Sequence, residues 1–120
     1  MTAALDSVPT PILVGIGGAA GALARYAVDR LLDGGRRSTF AVNVLGSTLL
    51  GAIVAASLPA AALALVATGF CGAFTTFSSF ALNVTRALDS GRVDIALVDA
   101  VGTLAAALAG VWVGSALVGV

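Results

Sequence analysis

The sequence predicts an all-α integral membrane protein of four transmembrane helices, the third of them broken. Two observations carry that prediction. Hydrophobic residues make up 59% of the 120 positions and charged residues only 10%, a balance that cannot clothe so small a core in a water-compatible surface. The apolar residues also fall into four runs, and at about 20 residues per crossing the length accommodates four crossings joined by short connections. Residues 1–120 therefore read as a single four-helix transmembrane domain, with spans at approximately 12–32, 40–57, 60–84 and 95–118.

Each element has its own signal. Met1 to Pro11 carries Asp6 and no Lys or Arg, the wrong charge for a signal peptide, and is expected as a short tail. The first span, about Ile12 to Leu32, is closed by Asp33, Gly34, Gly35, Arg36, Arg37 and Ser38, which combine loop and helix-stop chemistry. The second span runs from about Phe40 to Ser57, and Pro59 marks a tight turn. The third segment, about Ala60 to Val84, is apolar but interrupted in its second half by Gly69, Gly72, Thr75, Thr76, Ser78 and Ser79, so it is not expected to cross as one regular helix. Arg86, Asp89, Ser90, Gly91, Arg92 and Asp94 form the next loop, and the last span runs from about Ile95 to Val118. Small residues recur at helical spacing at Gly17 and Gly21, and again at Gly102, Ala106, Gly110 and Gly114. In lipid such faces let backbones approach closely, either within a tight bundle or along a dimer seam. A bundle this small encloses little interior, which favours a pore between subunits.

The charges narrow the function. They are six Arg and six Asp, with no Lys, Glu or His, and a net charge near zero argues against nucleic acid or another polyanion as partner. Cys71 is alone in an apolar run and is expected as a small buried residue. With no His, no acid pair and no nucleophile beside a base, the sequence points away from an enzyme. The positive residues are lopsided: Arg30, Arg36, Arg37, Arg86 and Arg92 flank the two longer loops, and none flanks the other side. Because positive residues near span ends stay in the cytoplasm, both loops, near 33–38 and 86–94, are expected inside and both termini outside.

Polar residues within spans are costly, of order 2.5–3.5 kcal/mol for a charge at the centre, and each needs a reason. Arg25 can snorkel its head to the surface, a structural role, or take a direct part in an ion path. Asn43 can offer two N–H donors to an anion or tie two helices together. The stretch Gly69 to Phe80 concentrates two glycines, four hydroxyls and four phenylalanines, a composition suited to a broken helix that builds an ion site from freed backbone groups. Phe77 and Phe80 share a face if the stretch after the break is helical, and their positive ring edges can line an anion path without a fixed charge. Asp99 stands near the start of the last span, either as an interfacial residue or as the partner of a cation or of an Arg across a subunit interface.

At these residues the chain resembles the Fluc (CrcB) family of fluoride channels. Gly18-Ala19-Ala20-Gly21-Ala22-Leu23-Ala24-Arg25-Tyr26 is similar to its first-helix signature, Asn43-Val44-Leu45-Gly46-Ser47 to its second, and Gly69 to Phe80 to its Gly-rich TTFSTF segment. The resemblance covers essentially the whole chain. It implies a dimer of two oppositely oriented subunits, two fluoride pathways along their interface, and a structural sodium ion at its centre. It also implies roles: Phe77 and Phe80 as the ring-edge pair, Asn43 as the pore amide, and Gly72 and Thr75 as carbonyl donors to sodium. Thr76, Ser79 and Thr103 supply hydroxyls to the path, and Arg25 is structural. Three positions depart from the family pattern: Ser79 replaces a Thr, Asn83 stands where many members have Glu, and Asp99 stands where a Tyr often begins the fourth-helix polar track that Thr103 continues.

The expected function is passive export of cytoplasmic fluoride across the cell membrane, which lowers its toxicity. A proton-coupled small multidrug exporter is the alternative, but it calls for a membrane-embedded Glu and the chain has none. Five Arg against none is too unbalanced for one sequence to insert both ways, so an oppositely oriented paralogue is expected as the second subunit, with a homodimer as the other option.

Overall fold

The computed structural model describes residues 2–119. Its helices are α1 (Thr2–Asp6), α2 (Thr10–Leu31), α3 (Gly35–Ala55), α4 (Ala60–Leu63), a π-helical stretch (Ala64–Cys71), α5 (Gly72–Phe74), α6 (Phe77–Asp89) and α7 (Val93–Gly119). There is no strand among the described residues. Four stretches are long and apolar enough to cross a membrane: Thr10–Leu31, Gly35–Ala55, Ala60–Asp89 and Val93–Gly119. The whole measures 54 × 31 × 21 Å.

The helices run past the apolar spans because polar residues close their ends. α3 begins at Gly35, so Arg36, Arg37 and Ser38 form its first turns instead of a loop. Only Leu32, Asp33 and Gly34 separate α2 from α3, and the reversal is made by positive φ at three successive residues, Asp33, Gly34 and Gly35, at 58°, 65° and 72°. Glycine adopts that conformation freely, which is why two of the three positions carry it. Asp29 then fastens the corner, its backbone carbonyl accepting from Gly34 N–H at 2.8 Å and its carboxylate accepting from the Ser38 hydroxyl. Ser38 is fully buried as a result. The segment expected as a tail holds the short α1, and Met1 lies outside the described residues.

Few large side chains are buried: Leu13, Val42, Ile53 and Phe74 form the core with Cys71, Ala87 and Ala96. Leu23, Trp112 and Leu117 are 70%, 73% and 76% exposed, which suits lipid or a second subunit rather than water. Glycines do the close packing. A Cβ on Gly17 or Gly21 would run into the backbone of Leu65 or Phe70, and Gly69 meets α2 from the other side, so α2 and the π-helical stretch touch main chain to main chain. In the same way Gly51, Gly110 and Gly114 bring α3 and α7 together. Both small-residue faces are thus spent largely inside the subunit, whereas Gly102 faces open space.

Candidate ion pathway

The chain leaves helical geometry between α5 and α6. Thr75 (φ −84°, ψ 163°) and Thr76 (φ −148°, ψ 122°) are extended. Asn43 on α3 holds this segment with both ends of its amide: its Nδ2 donates to the Thr76 carbonyl at 2.9 Å, and its Oδ1 accepts from Thr76 N–H at 2.8 Å. One Nδ2 hydrogen is left over. Of the two readings of Asn43, the tie between helices is directly visible, and a donor remains beyond it.

Thr76 also caps α6. Its Oγ1 accepts from Ser79 N–H at 3.2 Å and lies 3.2 Å from the Ser79 hydroxyl and 3.3 Å from that of Ser78. The N-terminus of α6 therefore presents partial positive charge next to this hydroxyl cluster, a setting that favours anions.

These bonds redirect two backbone donors. In an uninterrupted helix Thr76 N–H would close on the Gly72 carbonyl, but it goes to Asn43; Ser79 N–H would close on the Thr75 carbonyl, but it goes to Thr76 Oγ1. The carbonyls of Gly72 and Thr75 are thereby released from the helical ladder. Gly72 is exposed and has open space on its Cβ side. No group of three His, Cys, Asp or Glu side chains that could hold a metal occurs among the described residues. The released Gly72 and Thr75 carbonyls match the oxygen preference of a hard cation, although the Thr75 carbonyl also accepts from Arg25, and they would leave most of its shell to other donors. Arg25 is found at the same place. Its Nη1 donates to the Thr75 carbonyl at 3.3 Å, so one side of its guanidinium is tied to the helix interruption.

Asn43, Gly72, Thr75, Thr76, Phe77, Phe80 and Thr103 all line one open-sided groove of about 600 Å³, whose wall is otherwise mainly apolar. Phe77 and Phe80 stand side by side there, ring centroids 5.8 Å apart and planes at 43°. Phe77 is 78% exposed, so the groove lacks a wall on its side. Phe70 and Phe74 form a separate stacked pair, centroids 5.6 Å apart, with Phe74 buried beside Gly46. Ser79 does not line the groove; it belongs to the α6 cap. Thr103 is buried on α7.

Sequence reasoning missed two contacts that shape the mouth of this region. Asp99 accepts a two-pronged bond from Arg36 of the same chain, Nε to Oδ2 at 2.7 Å and Nη2 to Oδ1 at 2.6 Å. Asn83 Nδ2 donates to the Thr39 hydroxyl at 3.2 Å. Neither residue depends on a second subunit for a partner. No sequence spacing marks a pair 63 positions apart; the one available clue was that a carboxylate inside a span requires a cation.

Residues 12–115 match a family described as CrcB-like protein, Camphor Resistance (CrcB). Similar proteins include a Fluoride-specific ion channel FluC 2 of Natronomonas pharaonis, 53% identical over 90% of this chain and 93% of that protein. Another bearing the same name, from Rhodococcus jostii, is 43% identical over 88% of this chain and 95% of the relative. A third, from Haloarcula marismortui, is also 43% identical, over 82% and 85%. The family match runs from the first long helix into the last, and these relatives are covered almost end to end: the chain belongs to the CrcB family.

Proposed function

We propose that this chain is a subunit of a fluoride-specific ion channel in the cell membrane, letting cytoplasmic fluoride leave passively and so lowering its toxicity. The observation that carries the proposal is the groove itself. It gathers an amide donor, hydroxyls, a helix N-terminus and two phenylalanine rings, with no acidic side chain in its lining. The names of the relatives point to the same ion. A small, strongly hydrated anion needs many weak donors in place of its water, and it must be able to leave again; hydrogen-bond donors and ring edges meet both needs. In this reading the remaining Asn43 N–H, Thr76 with Ser79 behind it, the Phe77 and Phe80 edges, and Thr103 follow one another along the path.

The exposed Phe77 motivates the second subunit, which closes the groove from its open side. The proposed assembly is an antiparallel dimer in which the extended Thr75–Thr76 segment is a helix break at membrane depth. Its released Gly72 and Thr75 carbonyls, with those of the partner, would hold a sodium ion that adds fixed positive charge beside the anion path. The loops near 33–38 and 86–94 are cytoplasmic and the termini outside. The second subunit is an oppositely oriented paralogue, a reading to which the numbered names of the relatives lend support.

Fluoride efflux from liposomes carrying this chain together with an oppositely oriented paralogue, followed with a fluoride electrode, tests the function. Phe77→Ile and Phe80→Ile should each cut flux while leaving assembly intact. Unchanged flux in both would return the two rings to packing roles and remove them from the path.

A further inference from the structure

Three cavities lie in series between the loops and the proposed path, each sharing one lining residue with the next. The first, about 200 Å³, lies at the loop end of the bundle and is lined by Arg36, Arg86 and Arg92 with Asn83 and Ser90. The second, about 400 Å³, shares Arg36 and adds Arg37, Asp99 and Thr103. The third is the groove of Asn43, Phe77 and Phe80, which shares Thr103 with the second. Arg36 thus lines both outer cavities, and Thr103 lines both the second cavity and the groove, so the three form a series from the loops to the groove. Along its first two cavities the charged side chains are Arg36, Arg37, Arg86, Arg92 and Asp99.

Asp99 is the one carboxylate on this route, and its side chain is only 15% exposed. Asp99 and Thr103 are spaced i, i+4 on α7, hence on one face, so a carboxylate stands one helical turn from the residue that the second cavity shares with the groove. An ionised acid there repels an anion strongly, because little water screens it. Arg36 covers it with a two-pronged bond that occupies both carboxylate oxygens. Resting on the channel reading above, we propose that the Arg36–Asp99 pair sets the sign of the entrance: Arg36 masks Asp99 and keeps the approach net positive, making it a specificity-determining element for anion entry.

The two ways the pair can matter make different predictions. If it is a latch between α3 and α7, losing either partner harms the protein alike and losing both does not help. If it sets the field, the direction depends on which charge is lost. The test is fluoride efflux from liposomes at limiting fluoride, normalised to reconstituted protein, using whichever preparation conducts as wild type, this chain alone or with a paralogue. Arg36→Gln should lower flux about tenfold, the size expected for one unmasked charge at close range in a partly wet site. Asp99→Asn should raise flux, and the Arg36→Gln/Asp99→Asn double variant should recover most of what the single Arg36 change loses. A flux loss in Asp99→Asn comparable to that in Arg36→Gln, or no recovery in the double variant, overturns the proposal and leaves a latch. Should Arg36→Gln fail to assemble, the sign of the Asp99→Asn effect decides alone. Absence of flux from every wild-type preparation overturns the channel reading and this inference with it.

Discussion

Asn43 spends its amide on the backbone of one residue, Thr76, and that choice separates what its substitutions should do. Asn43→Ala removes two hydrogen bonds, each worth ~1 kcal/mol net, so a loss of about 2 kcal/mol is expected, read as a lower melting temperature in detergent. Asn43→Asp keeps an acceptor for Thr76 N–H but turns a carboxylate oxygen toward the Thr76 carbonyl and puts negative charge on the proposed path. Its fluoride flux should fall further than that of Asn43→Ala, measured by liposome efflux on equal amounts of protein. Asn43, Phe77 and Phe80 were legible in the sequence because an amide and aromatic rings beside hydroxyls are conspicuous in an apolar run. Arg36 was not, since it reads as loop punctuation until the fold brings it to Asp99. Arg25 was half legible: a buried-span arginine needs a partner, but the partner is a carbonyl freed by a helix interruption, and no side chain announces a freed carbonyl.

At the scale of elements, glycine placement decides which helices touch. Gly114 admits the backbone of Thr48, and a methyl there must push α3 and α7 apart. Gly114→Ala should therefore cost about 1–3 kcal/mol, whereas Gly102→Ala, which meets open space, should leave the melting temperature of the protein unchanged. Thermal unfolding followed by circular dichroism compares the two directly. The small-residue spacing was visible in the sequence, but whether it served the subunit or a seam between subunits was not, because periodicity names a face and not what lies against it. The π-helical stretch Ala64–Cys71 was likewise hidden. Its residues, Ala, Leu, Val, Thr, Gly, Phe and Cys, fit any apolar helix, and the wider turn coincides with the close main-chain contact to α2, which no residue type announces. The extended Thr76 had a weak local signal, since threonine is a favoured residue at a helix N-cap, whatever stands three positions later.

The distribution of arginine belongs to the molecule as a whole. Arg36, Arg86 and Arg92 line one cavity, which places both longer loops at the same end of the bundle. Five Arg lie at that end, Arg30 and Arg37 being the other two, and no Lys or Arg lies in the stretches 1–11, 56–59 and 119–120. In the proposed reading such a bias holds the chain in one orientation, with the loops inside, and C-terminal reporter fusions should accordingly be active only for an exterior C-terminus. In that reading an antiparallel pair is not built from this chain alone, because half of the copies would have to translocate five arginines. The proposed second subunit, a paralogue with its positive residues at the other end, would cover the exposed Phe77. Liposomes carrying this chain alone should show no fluoride efflux above empty vesicles, and co-expression with such a paralogue should restore it. Efflux from the chain alone would falsify the obligate pairing and show that the arginine bias is not strong enough to hold every copy one way. Neutralising Arg86 and Arg92 while adding two Lys before Pro9 should then move the C-terminal reporter toward mixed orientation. In the paired reading, that redesigned chain should begin to conduct without its partner.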